Sequence, residues 1–354
     1  MNIDFKRLIF STHRKKLSAP HLQWHLTDRC NLRCSHCYQD GYTEHGLEFD
    51  ELLEIIEQFK GLILFFRQTV KRKIRGHITI TGGEPLVKKE LLQLLQVIAS
   101  QQNWFTFSIL TNGVLIGDEW AKTLKKLKAK YVQVSLDGDR TMHDQIRGKG
   151  SFEKSLLGIK KLRQENIRVL VSFTATRSNF LQFSSVAEVC RQLDVNFLWS
   201  DRLIPEGNSK NQLDQLMSPT ETNQFFKLMR HEAEKCKSDK TSVTRVRMHR
   251  ALQFQYSDES PYRCVAGETL VTIMPNGDLY PCRRMPVKVG NIFEKPLAAL
   301  YYDSPIMRSL RNKDKVSSGC ESCSHNPECR GGLKCLSYSI NKNAHVKDPG
   351  CLVV

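Results

Sequence analysis

The feature that most constrains this chain is an alternation. Between about residues 22 and 204, stretches rich in β-branched and aromatic residues take turns with amphipathic ones. LQWHLTD, HITITGGEP, FTFSILTNG, YVQVSLDG, IRVLVSFTAT and NFLWSDRLI read as strands, several of them ended by glycine or proline. Between them, LEFDELLEIIEQFKGLILFFRQTV, KKELLQLLQVIASQQ, DEWAKTLKKLKAK, SFEKSLLGIKKLRQEN and FSSVAEVCRQL repeat apolar residues at helical spacing. Strands separated by such helices join as right-handed βαβ units, which predicts an α/β chain on a parallel sheet buried on both faces. In parallel barrels and open α/β sheets, function lies in the loops beyond the carboxyl ends of the strands. GGEP, TNG, LDG and a cysteine loop after the first strand occupy such ends, so they are expected to converge.

That loop, CNLRCSHCYQD at 30–40, places Cys30, Cys34 and Cys37 within eight residues. Thiolates in this number suit zinc or iron–sulfur. A structural zinc site needs a fourth ligand, for which His36 is a candidate, and zinc ligands usually come as two separated pairs. A compact CX3CX2C loop favours the other solution, three irons of a [4Fe–4S] cluster held and the fourth left for an outside ligand.

Past residue 260 the periodicity gives way to short segments, turns and seven of the twelve cysteines: Cys264, Cys282, Cys320, Cys323, Cys329, Cys335 and Cys351. Zinc ribbon and iron–sulfur readings are both open for this tail on spacing alone. Cys190 falls on the apolar face of a helix and reads as core, and Cys236 has no assigned role. The expected organisation is an N-terminal extension at 1–20, the α/β domain at 21–240 and the cysteine-rich domain at 241–354.

Composition bounds the partners. In a chain of 354 residues with no secretory signal, this many cysteines point to metal rather than disulfides, hence to a reducing cytoplasm. No apolar run reaches the ~20 residues of a membrane span. The formal charge of +16 is concentrated in KRKIR, KKLKAK and RVRMHR, and reads as solvated faces or as a surface for an acidic partner. No aromatic-interleaved signature accompanies it, so nucleic acid is not the expected partner.

The cysteine loop after the first strand, followed by GGEP after the second, resembles the radical S-adenosylmethionine (radical SAM) superfamily. The resemblance implies a partial (β/α)6 TIM-like barrel, with SAM chelating the open iron through its methionine amino and carboxylate groups. It implies SAM contacts from Gly82, Gly83, Glu84 and Pro85, from Asn112 in LTNG, from Ser135 and Asp137 in VSLDG, and from Arg147. His36 stands where the family usually has an aromatic near the adenine, and is expected to pack. The implied chemistry is reductive cleavage of SAM to a 5′-deoxyadenosyl radical that abstracts hydrogen. The catalytic acid, base or radical-quenching residue is not named by any motif.

The tail resembles the SPASM extension, a small domain housing two auxiliary [4Fe–4S] clusters. That resemblance assigns Cys264, Cys282 and Cys335 to one cluster, and Cys320, Cys323, Cys329 and Cys351 to the other. The family's usual final CX3C pair is CX5C here, which puts the role of Cys335 in question. Such enzymes mostly act on ribosomally made peptides or proteins, so a peptide maturase with an acidic substrate is the first expectation. An electron donor such as flavodoxin or ferredoxin is implied. Only 29 residues precede Cys30, too few for a winged peptide-recognition domain, so recognition would fall to the barrel or to a separate protein. The alternative is tailoring of a tetrapyrrole or quinone precursor, a class sharing the RGG and DPxC character of this tail. A non-catalytic metal-binding protein is the third reading, and it leaves GGEP without a purpose.

Overall fold

A computed structural model describes residues 19–39, 41–42, 46–71, 73–258 and 260–353. All but the last two residues of the expected N-terminal extension lie outside that range. The elements run β1 (His21–His25), α1 (Phe49–Val70), β2 (Gly76–Thr81), α2 (Leu91–Ser100), β3 (Phe105–Thr111), α3 (Asp118–Lys126), β4 (Val132–Ser135), α4 (Arg140–Arg147), α5 (Ser151–Gln164), β5 (Val169–Ala175), α6 (Phe183–Gln192) and β6 (Phe197–Arg202). They continue with α7 (Pro219–Ser238), β7 (Arg245–Arg247), β8 (Leu270–Ile273), β9 (Asp278–Tyr280), β10 (Gly290–Asn291), α8 (Leu297–Asp303), α9 (Pro305–Arg311), α10 (Asn326–Cys329) and α11 (Lys334–Asn341). All six strands read from the sequence are present. Within the described residues the chain divides into two units, one of 19–29, 46–108 and 265–315, the other of 30–42, 109–264 and 316–353.

In the first unit β1 lies between two parallel neighbours. It pairs with β2 from His21↔His77 to His25↔Thr81, and with β8 from His21↔Leu270 to Trp24↔Ile273. β9 and β10 extend this edge as antiparallel strands. The long helix α1 starts at a reciprocal cap, in which the Glu48 amide donates to Glu51 Oε2 at 2.8 Å. Its Leu52, Ile55, Phe59, Leu62, Ile63 and Phe66 recur at three- and four-residue spacing and are all buried. Phe59 stacks on Phe105 of β3 at 5.8 Å, and Phe65 meets Tyr302 of α8 edge-on at 4.3 Å. Truncating a ring buried as Phe59 is to alanine costs about 3–5 kcal/mol.

In the second unit β3 from Ile109 onward, β4, β5, β6 and β7 are all parallel. Behind them Phe173 of β5, Phe183 of α6 and Phe225 of α7 form an aromatic core, with ring centroids 5.5–6.2 Å apart. Ser218 and Glu221 make a capping box for α7, and Pro219 fills its first turn. Helix α4 has no apolar stripe that would announce it. It starts because the Asp139 carboxylate accepts the Met142 amide at 2.9 Å.

The two faces of the strands differ in chemistry, and His25, Thr79, Thr81, Gln133 and Asp201 of the polar face are buried. In the first unit Leu22, Trp24, Ile78 and Ile80 point one way, while His21, Gln23, His25, His77, Thr79 and Thr81 alternate with them. This second set is hydrogen-bonded laterally: His21 Nε2 to Thr79 Oγ1 at 2.6 Å, and His77 to Thr106 and Ser108 at 2.8 Å each. In the second unit Val132, Val134, Val171, Phe173 and Leu198 oppose Gln133, Ser135, Ser172, Thr174, Trp199 and Asp201. The polar face is thus lined by hydrogen-bonding groups that pair laterally across the strands.

Candidate active site

The GGEP turn follows β2 in the first unit, and its glycines are fixed by a backbone contact. The Gly83 amide donates to Thr27 O at 2.7 Å and the Glu84 amide to Arg29 O at 2.9 Å. A Cβ on Gly82 would stand 2.6 Å from Thr27 O, and one on Gly83 would run into the Arg29 carbonyl. Both glycines therefore let this turn clamp the segment 27–29 that leads into the cysteine loop. Glu84 is fully buried, and one of its oxygens accepts the Leu86 amide at 3.2 Å, with Pro85 opening the short 3-10 turn that follows.

In the second unit the cysteine loop is tied down at many points. Ser35 N donates to Ile146 O at 2.9 Å, Ser209 N to Cys37 O at 3.2 Å, and Gln212 Nε2 to Ser35 O at 3.0 Å. Asn112 is engaged twice: its Nδ2 donates to Asn31 Oδ1 at 2.8 Å, and its Oδ1 accepts the Val114 amide in an Asx turn. Ser135 is half-buried, its hydroxyl 3.4 Å from that of Ser172.

Asp137 is the hub of this region. It is fully buried, accepts the Thr174 amide on Oδ1 at 2.8 Å, and receives Arg147 Nε at 2.5 Å and His36 Nε2 at 2.8 Å on Oδ2. Burial alone would raise its carboxyl. The Arg147 guanidinium, His36 and the Thr174 amide outweigh that and hold it far below the ordinary range. His36 is thus hydrogen-bonded as well as packed. Arg147 also points Nη1 at Cys34 Sγ, 3.8 Å away. Burial pushes the Cys34 thiol up, against the pull of that guanidinium. Asp137 and Arg147, both expected to contact SAM, are joined to one another and to the cysteine loop.

The tail places Cys282 in the first unit and the other six of its cysteines in the second. Cys320, Cys323, Cys329 and Cys351 wall a single cavity together with Leu252, Phe254 and Asp348. Short turns aim them: Cys320 N to Ser317 O, Cys323 N to Cys320 O, Cys329 N to His325 O and Cys351 N to Asp348 O. Burial raises the thiols of Cys320 and Cys351, and that of Cys329 to about 11, so metal loading here must displace protons. No cysteine of the chain is joined in a disulfide. Among the described residues no three His, Cys, Asp or Glu groups are close enough to share one ion. Four soft ligands that line one cavity without being close enough to share a single ion fit an iron–sulfur cluster better than a single zinc.

Two features of the tail were not read from the sequence. Arg202, at the end of β6, makes a bidentate pair with Asp348, at 2.8 and 2.6 Å, and both are buried. Its trace in sequence is the DPGC run, where the acidic residue has a role beside that of Cys351. Lys334 is also buried, donates to Ser317 Oγ at 3.1 Å, and feels the charges of Cys264, Cys320 and Cys329. Burial pushes its ammonium down to about 8.

Comparison with known proteins agrees with this geometry. Residues 24–177 match the profile of the radical SAM superfamily, and residues 264–324 that of the SPASM iron–sulfur cluster-binding domain. The chain is 26% identical over 349 residues to an AdoMet-dependent heme synthase of Nitratidesulfovibrio vulgaris, covering 93% of this chain and 91% of that protein. An Fe-coproporphyrin III synthase of Methanosarcina barkeri is 27% identical, covering 97% and 89%. In fold, the chain is similar to Streptococcus suis SuiB bound to S-adenosylmethionine, with a TM-score of 0.73, 20% identity, and 95% and 78% of the two chains covered. It is also similar to anSMEcpe with bound AdoMet, with a TM-score of 0.74, 20% identity and 94% and 91% covered. Among the described residues no helix is long and apolar enough to cross a membrane. The chain is an enzyme with a radical SAM domain and a SPASM iron–sulfur domain, and [4Fe–4S] clusters and SAM are its cofactors.

Proposed function

We propose that this enzyme abstracts hydrogen from a tetrapyrrole bearing carboxylate side chains. The observation that carries the reading is the likeness, over about nine-tenths of both chains, to a heme synthase and an Fe-coproporphyrin III synthase. The polar strand faces and the +16 formal charge support it, because both favour a substrate with several carboxylates. In this reading Cys30, Cys34 and Cys37 hold the SAM-binding cluster, and Cys320, Cys323, Cys329 and Cys351 hold an auxiliary one. Cys264, Cys282 and Cys335 remain assigned to a second auxiliary cluster. When bound, the reduced cluster and SAM would supply a 5′-deoxyadenosyl radical able to take hydrogen from an unactivated carbon.

The chain's own residues then do the positioning. Asp137, fixed by the Thr174 amide, holds Arg147 against Cys34 and orients His36 through its Nε2. In the first unit the Gly82–Gly83 turn clamps segment 27–29, and by resemblance the buried carboxylate of Glu84 is assigned to the ammonium of SAM. Gly82, Gly83 and Pro85 of the first unit, and Asn112 and Ser135 of the second, remain assigned to SAM by resemblance.

A second reading, an acidic ribosomally made peptide, is supported by the fold shared with SuiB, which has been seen bound to its precursor peptide SuiA. One experiment separates the two. The reconstituted enzyme is given SAM and dithionite, or a flavodoxin in its place, with iron-coproporphyrin in one arm and acidic peptides in another. Substrate-dependent 5′-deoxyadenosine release with a change in macrocycle mass is expected, and it should vanish in Cys34→Ala. Release stimulated only by a peptide would overturn the tetrapyrrole reading in favour of the second.

A further inference from the structure

In the second unit a short 3-10 turn, Gln253–Tyr256, follows β7 and contributes to the wall of the four-cysteine cavity. The chain enters it through Leu252 at φ 69°, a left-handed conformation that a residue with a side chain adopts only where its surroundings impose it. The anchors that impose it lie within the turn. Gln253 is buried, its Nε2 donates to Ser200 O of β6 at 3.0 Å, and its Oε1 accepts the Arg250 amide at 3.0 Å. Tyr256 donates its hydroxyl to Asn223 Oδ1 of α7 at 2.5 Å and packs on Phe226 at 5.8 Å. With these two residues fixed on β6 and α7, the two between them, Phe254 and Gln255, line the cavity. Phe254 meets the His325 ring there, edge to face, at 5.0 Å.

Other polar groups of that wall are engaged within the protein. Asp348 is committed to Arg202, Leu333 and Gly350, and Lys347 Nζ donates to Val353 O at 2.6 Å. Two buried atoms of the lining residues have no hydrogen-bond partner: Gln255 Nε2 and Asn326 Oδ1. A buried N–H2 left unpaired is costly, so an orphan beside a cofactor cavity points to a partner outside the polypeptide. A carboxamide nitrogen is a donor only, and the acceptors that four cysteines would bring to this cavity are thiolates and cluster sulfides, both negatively charged. Asn326 Oδ1 is an acceptor and cannot serve sulfur in this way.

We propose that Gln255 donates a hydrogen bond from Nε2 to a thiolate or sulfide of the auxiliary [4Fe–4S] cluster held by Cys320, Cys323, Cys329 and Cys351, and thereby raises its reduction potential. On taking one electron from a donor such as dithionite or a flavodoxin, the cluster gains one negative charge. An N–H aimed at its sulfur stabilises that reduced form more than the oxidised one. The inference rests on the assignment of a cluster to these four cysteines, and adds to it a residue from outside the cysteine-rich segments.

The test uses the reconstituted holoenzyme reduced with dithionite. The EPR signal of this cluster is the one that Cys323→Ala removes together with its share of the iron. In protein carrying glutamine labelled with 15N in the side chain, pulsed ENDOR on that signal should show a 15N coupling. The coupling should be absent from Gln255→Met, which keeps the length of the side chain without its donor. The one-electron equilibrium in that variant should move about ten-fold against the reduced form, a potential about 59 mV lower in an EPR-monitored titration. Gln255→Glu, of the same shape but carrying a negative charge, should lower it further. A loaded Gln255→Met with the wild-type potential and ENDOR spectrum would overturn the proposal and leave the cluster in place. Should that variant take up no iron at this site, the labelled wild type decides: a 15N coupling supports the hydrogen bond and its absence overturns it. An unchanged iron count and EPR spectrum in Cys323→Ala would remove the cluster assignment, and this inference with it.

Discussion

The sharpest test of how the tail is built is Asp348→Asn. Asp348 is buried, takes both Arg202 guanidinium nitrogens, and accepts the amides of Leu333 and Gly350 at 2.9 Å each. These amides flank the segments carrying Cys329, Cys335 and Cys351, so one carboxylate pins three ligand-bearing stretches. Asparagine keeps the shape and one acceptor but leaves the Arg202 charge buried without its counterion. Breaking a buried ion pair on one side costs about 3–5 kcal/mol, and two charge-assisted hydrogen bonds at ~1.5–3 kcal/mol each give the same figure. At 1.4 kcal/mol per decade, local opening should become roughly 100- to 4,000-fold more frequent. Hydrogen exchange of peptides spanning 330–352 measures this directly, and an iron count should fall by the content of the cluster at Cys320, Cys323, Cys329 and Cys351. The double variant Arg202→Met/Asp348→Leu supplies the decisive comparison: an apolar pair of similar volume should restore much of the protection that the single change destroys. If exchange and iron content in Asp348→Asn match the wild type, the carboxylate does not hold the tail together and the reasoning is wrong.

Further expectations follow from single residues. Gly83→Ala should destabilise the turn and weaken SAM affinity by at least ten-fold in equilibrium dialysis, because its methyl group meets backbone at Asp28 and Arg29. Gly61→Ala, in an open position of α1, should instead raise the melting midpoint, by about 0.5–1 kcal/mol of helix propensity. Burial pushes His143 down to about 4, so the unfolded chain takes up a proton below about pH 6.5 that the folded one refuses. The His143 contribution to stability should therefore be full above that pH and shrink by about 2 kcal/mol between pH 7 and pH 5, so His143→Gln should make the acid loss smaller by that share in denaturant titrations at the two values. Replacing the buried ammonium in Lys334→Met should lower the reduction potential of the adjacent auxiliary cluster by on the order of 50 mV in an EPR-monitored titration, since a nearby positive charge favours the added electron. An unchanged potential would mean that the ammonium is screened from the cluster.

How much of this was legible in the sequence depends on how local the signal is. The six strands and most helices could be read because each carries its own periodicity, and the cysteine loop and GGEP because their meaning lies in adjacent residues. Helix α4 was missed because its start depends on one side-chain cap at Asp139 and it has no apolar stripe. β7 and β8 were missed for a different reason: they are three and four residues long and are strands only because β6 and β1 offer them an edge. The ion pairs Asp137–Arg147 and Arg202–Asp348 span 10 and 146 residues, and pattern reading has no access to the second. One signal was present and under-read. Strands of a parallel sheet covered on both sides are normally near-continuous apolar runs. HLQWH, GHITIT, VQVS and FLWSDR alternate instead, with His, Gln, Thr, Ser, Trp and Asp at every second position. A parallel strand that alternates this way has a reason to keep one face polar, and the economical reason is that the face receives a ligand. That rule singles out Trp199 and Asp201, at alternate positions of FLWSDR, from the sequence alone.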